Sequence, residues 1–108
     1  MTACSWLSEN GLVLHRAQNR MEEARKAYDE ALGIYGQLAL ANPDTYLPEV
    51  ARVRWAMGRM HAAMDQAEEA RRAYGEALEI YEKFAARDAA QYQRFVDGVK
   101  ADLAKVKP

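Results

Sequence analysis

The chain contains a single cysteine, Cys4, so no intrachain disulfide is possible. A reducing compartment suits such a chain best. Its only histidines, His15 and His61, belong to no Cys/His cluster of the kind that holds zinc. No apolar run approaches the roughly 18 residues of a membrane span. The opening MTACSWLSENGL lacks a basic start and a long apolar stretch, so no secretory leader is expected. The expected location is cytoplasmic, by default. Gly-rich phosphate loops, G-x-S-x-G and H-E-x-x-H are all missing, so neither an enzyme nor a cofactor is expected. The net charge of −1 argues against nucleic acid, which demands a strong excess of Lys and Arg. Prolines number three and glycines six, and β-branched residues are scarce.

What remains is a helical chain with one segment written twice. Alanine, glutamate, arginine, leucine and methionine dominate, and these side chains lose little freedom in a helix. EARKAYDEALGIY, from Glu23 to Tyr35, returns 46 residues later as EARRAYGEALEIY, from Glu69 to Tyr81, with ten of thirteen positions identical. Each copy places apolar residues at steps of three and four. Ala24, Ala27, Tyr28, Ala31, Ile34, Tyr35 and Leu38 answer Ala70, Ala73, Tyr74, Ala77, Ile80, Tyr81 and Phe84. Between them Glu22, Glu23, Arg25 and Lys26 form a solvated face. The offset persists outside the copies: His15 and Ala17 return as His61 and Ala63, and Tyr46, Val50 and Val53 as Tyr92, Val96 and Val99.

Punctuation sets the expected elements. A first helix over about 5–18 meets a turn near Asn19-Arg20, and a second runs to the break at Asn42-Pro43-Asp44. A third spans about 47–64, with Pro48 in its first turn. Asp65-Gln66 is a tight turn, a fourth helix covers about 67–87, and a fifth follows from about 89 to 106. The expectation is all-α, five helices in one domain over 1–108. Its units are about 5–42 and 47–88, closed by the helix over 89–106. Helix pairs repeated at a fixed offset bury their apolar faces by stacking.

The pattern resembles the tetratricopeptide repeat family, W-x2-L-G-x2-Y followed by A-x3-F. Arg54, Met57, Gly58 and His61 hold the first four places, and Ala70, Tyr74 and Ala77 the second-helix places. In the earlier unit Ala24, Tyr28, Ala31 and His15 fit, while Leu12 stands where the glycine belongs and Gly11 comes one step early. The family unit is usually about 34 residues, so this is a longer variant. The resemblance implies a right-handed α-α superhelix and a scaffold that binds protein. The family's clamp for a terminal carboxylate needs an asparagine and a lysine, where the corresponding stripe here offers Glu9 and Val13, then Trp55 and Arg59, so that activity does not carry over.

Candidate chemistry is thin. His15 and His61 take equivalent places, about 10 Å or more apart in stacked pairs, too far to share one metal. Cys4 has no base beside it. One stripe stands out. Arg52, Trp55 and Arg59 lie opposite the expected core face of Val50, Val53, Met57, His61 and Met64. The same places one unit earlier hold Trp6, Glu9 and Val13, with Arg16 beyond. Tryptophan and arginine are rich in binding hot spots. In the family this stripe faces the concave groove. The expected function is therefore a protein-interaction module. Its peptide or protein ligand would be acidic, with an apolar anchor, and would dock on Trp6, Glu9, Val13, Arg16, Arg52, Trp55 and Arg59. The alternatives are that Trp55 packs under a neighbouring helix, or that the chain self-associates as a homodimer through exposed terminal or groove faces. No nucleic acid, membrane or metal is expected to bind.

Overall fold

A computed structural model describes the backbone of residues 2–106 and the side chains of residues 20–106. Four helices follow one another: α1 (Thr2–Ala41), α2 (Pro43–Ala63), α3 (Ala67–Arg87) and α4 (Ala89–Lys105). No strand occurs among the described residues. Each helix packs on the next, α1 on α2, α2 on α3 and α3 on α4.

The expected five helices are thus four. The turn placed near Asn19-Arg20 does not form, and α1 runs through it. Two causes contribute. Residues 2–41 contain no proline, the residue that breaks a helix interior most effectively. The corresponding turn between α2 and α3 also depends on a tight crossing. A Cβ built on Gly58 would lie 2.5 Å from Cδ1 and Cε1 of Tyr74. The places equivalent to this pair are Leu12 and Tyr28. A leucine does not fit where one methyl group already overlaps the ring, so the hairpin available to α2 and α3 is closed to the first segment. α2 begins at Pro43 rather than near 47, with proline at the helix start and Pro48 inside. Pro48 removes only the N–H that would reach the carbonyl of exposed Asp44.

The joints repeat as the sequence does. Asn42 (φ −143, ψ 76) and Asp88 (φ −147, ψ 79) are single-residue links 46 apart with the same backbone geometry. Across the first, Tyr35 and Tyr46 stack at 6.4 Å; across the second, Phe84 and Tyr92 meet at 5.3 Å. Asp88 caps α4 by accepting from the Gln91 N–H at 3.2 Å. The α2–α3 turn differs. Asp65 takes φ 63, the left-handed conformation that aspartate tolerates better than most residues. The N–H of Gln66 then donates to His61 O and that of Asp65 to Ala62 O, closing the helix end.

The core sits between α2, α3 and α4. Ala51, Ala70, Tyr74, Ala77, Tyr81, Val96 and Val99 form its buried centre. Small residues at 51, 70 and 77 let the helices approach, and the tyrosines fill the space between them. Burial, first of all, pushes the Tyr81 phenol up to about 12, so it stays neutral as a core residue.

Candidate functional site

The stripe on α2 is anchored at Trp55. Its ring packs edge-on against Tyr81 (6.1 Å) and Phe95 (6.4 Å), and Tyr81 stacks on Phe95 at 5.2 Å. Gly98 makes room for the indole: a Cβ there would lie 2.8 Å from its Cη2. The indole Nε1 donates to Asp102 Oδ2 at 2.8 Å, and Arg59 Nε donates to the same oxygen at 2.8 Å. Arg59 also lies over the indole face, 4.7 Å from its centre. Trp55 is therefore half-buried and fixed under α4, with the guanidinium of Arg59 closing over it.

Burial alone would raise the carboxyl of Asp102. The hydrogen bonds from Arg59 and Trp55, with the charges of Arg59 and Lys105, outweigh it and hold the group below the usual carboxylate range. Asp102 is thus an ionised acceptor that ties α4 to α2.

The arginines of α2 each meet an acid. Arg52 pairs with Glu49, Arg54 with Glu76 on α3, and Arg59 with Asp102. The positive charge of these three arginines is thus largely compensated, although Arg52 keeps 66% of its side chain exposed and Arg59 63%. Two hollows flank the stripe. One, about 530 Å³, lies towards α1 between Met21, Ala24, Tyr28, Trp55 and Met60. The other, about 350 Å³, lies towards α4 among Pro48, Glu49, Arg52, Trp55, Tyr92 and Phe95.

The structure brings Arg52, Trp55 and Arg59 together. Trp6, Glu9, Val13 and Arg16 fall in the first half of α1, and their side chains lie outside the described residues, as does that of His15. His61 is half-buried, its Nδ1 2.6 Å from Gln66 Oε1, at the turn into α3. Among the described residues no three of His, Cys, Asp or Glu gather as metal ligands, and no helix is long and apolar enough to cross a membrane. Sequence reasoning missed Phe95 and Asp102. The usable signal was Gly98, a glycine at the place of Arg52 that leaves space for a large ring from α2.

Successive helices stacked through small-residue crossings, with joints repeating every 46 residues, define an α-helical repeat protein. The sequence model of the tetratricopeptide repeat matches residues 1–83. The chain belongs to that family, whose members generally serve as non-catalytic scaffolds for protein–protein interaction. No curated protein and no solved structure matches it significantly.

Proposed function

We propose that the chain binds a peptide or partner protein on the face of α2 that carries Arg52, Trp55 and Arg59. The first half of α1 would supply Trp6, Glu9, Val13 and Arg16 to the same groove. One observation carries the reading: two exposed guanidinium groups, one turn before and one turn after a half-buried tryptophan, stand beside a mainly apolar hollow towards α1 and a mixed polar and aromatic one towards α4. That arrangement suits a ligand with an apolar anchor and acidic flanks, because the anchor fills a hollow while carboxylates reach the exposed faces of the arginines. The existing acid partners of these arginines limit the charge term, so the anchor supplies most of the affinity.

Peptides selected from a random library on the purified chain test this reading. They should share an apolar residue near acids, and Arg52→Glu should weaken them at least about fivefold with the helical spectrum unchanged. Selected peptides without acids, indifferent to Arg52→Glu, would count against it.

A second reading, self-association into a homodimer, is favoured by uncovered apolar residues on α1. Ile34 is 60% exposed, Leu38 40% and Leu40 85%. Sedimentation equilibrium distinguishes it, since a monomer at high concentration removes it.

A further inference from the structure

Tyr81 is a core residue with a polar end that the core does not use. It is only 3% exposed, and its ring stacks on Phe95 and meets Trp55 edge-on. Among the described residues its hydroxyl has no hydrogen-bond partner, and none of their side-chain polar atoms is both unpaired and sealed from solvent. The hydroxyl therefore opens on solvent. The opening is the hollow of about 350 Å³ between α2 and α4, which Tyr81 lines together with Pro48, Arg52, Trp55, Tyr92 and Phe95. Besides burial, the phenol responds to Arg52, Glu49 and Tyr92, and all three line this same hollow. The hydroxyl is thus placed inside it.

The aromatic walls do not come with the duplicated helix. Tyr35 holds the place of Tyr81 in the first copy, but Glu49 stands there for Phe95 and Glu9 for Trp55. The tyrosine is written twice and its surround once. Tyr35 is also the less buried of the two.

An anchor that fills this hollow displaces the water at the Tyr81 hydroxyl. A wholly apolar anchor would leave that buried group unpaired, which offsets much of what its own burial contributes. A charged tip fares no better, because the charges here are already matched, Arg52 with Glu49 and Asp44 with Arg87. What fits is an aromatic ring with a neutral hydrogen-bonding tip. Phenylalanine lacks the tip, and asparagine and glutamine lack the ring. We propose that this hollow takes a tyrosine side chain of the partner, its ring against Trp55, Tyr92 and Phe95 and its hydroxyl hydrogen-bonded to that of Tyr81. Burial keeps the Tyr81 phenol protonated up to about pH 12, so it both donates and accepts at neutral pH. The proposal rests on the binding reading above and names its anchor. Acidic neighbours of that tyrosine would meet the exposed face of Arg52 at the rim.

Library-selected peptides test the anchor in the full chain. Each is titrated by calorimetry, beside an analogue with phenylalanine for its tyrosine, into the wild type and into Tyr81→Phe. That variant keeps the ring and removes only the hydroxyl, and its helical spectrum checks the fold. Peptides that Arg52→Glu weakens should share a tyrosine. The analogue should bind the wild type roughly tenfold more weakly, and Tyr81→Phe should cost the parent peptide a similar factor. The two changes together should cost no more than either alone, because both remove one hydrogen bond. Peptides that Arg52→Glu weakens but that carry no tyrosine overturn this proposal and leave the binding reading standing. So does an analogue that binds the wild type as tightly as its parent, whether or not Tyr81→Phe folds. Selected peptides indifferent to Arg52→Glu overturn both.

Discussion

Gly58 of α2 lies against the ring of Tyr74 on α3, so close that a methyl group would overlap Cδ1 and Cε1 at 2.5 Å. The crossing of the two central helices depends on this contact. Both residues are buried, so relieving the overlap requires the ring or a helix to shift. Gly58→Ala should therefore destabilise the fold by about 1–3 kcal/mol in urea unfolding, despite the higher helix propensity of alanine. Gly75 is the control. It lies in the adjacent helix with nothing within 4 Å of a Cβ, so Gly75→Ala should stabilise by about 0.5–1 kcal/mol.

Asp102 accepts from both Trp55 and Arg59, and removing it leaves the half-buried indole N–H without its acceptor. Asp102→Ala should cost about 1–3 kcal/mol of stability in the same assay. The pH dependence follows from the direction of its shift. The folded-state value lies below the ordinary 3.8, so the stabilisation is fully present above that value. It is lost as the pH falls below 3.8 and through the folded value. Asp102→Asn keeps the shape and removes the charge, so its unfolding curve should show a shallower loss between neutral pH and acid than the wild type.

Asp65 holds a left-handed backbone at the α2–α3 turn. Asp65→Gly should be neutral or slightly stabilising there, and Asp65→Val should cost about 1–2 kcal/mol, because a β-branched side chain fits that conformation poorly. Thermal melts of the two variants should bracket the wild type.

Trp55 serves packing and, in the proposed function, binding. Trp55→Ala should lower stability through lost contact with Tyr81, Phe95 and Gly98, and should also weaken a selected peptide by about 2 kcal/mol or more. Arg52→Glu separates the two effects, since Arg52 is exposed and, among the described residues, its ion pair is with Glu49, one turn away on the same helix. It should weaken an acidic peptide with little change in melting temperature, and added salt should narrow the gap to the wild type.

Much of the scaffold was legible in the sequence because periodicity and punctuation are local. The ends of α3 and α4 fell within a residue of the expectation, set by Asp65-Gln66, Arg87-Asp88 and the duplicated stripe. The family, too, was readable from Gly58, Ala70, Tyr74 and Ala77. The helix count was not. Whether Asn19 turns or continues depends on how the segments on either side of it can pack, which no window around residue 19 contains. Trp55 shows the same limit at the site. Its place in a stripe with Arg52 and Arg59 was visible, but that stripe was expected to face away from the core, whereas Trp55 packs against the core under α4, beside Gly98 and Asp102 more than 40 residues away. The pairing of each α2 arginine with an acid is likewise a product of packing.

The most direct test of the interaction surface uses Trp55 as its own reporter. In a Trp6→Phe chain, Trp55 is the only tryptophan. Titration with a selected acidic peptide that carries an apolar anchor should shift its fluorescence saturably, and Arg52→Glu in the same background should move the midpoint to higher peptide concentration. A peptide that binds tightly by calorimetry while leaving the emission of Trp55 unchanged would contradict the placement of the binding surface on α2.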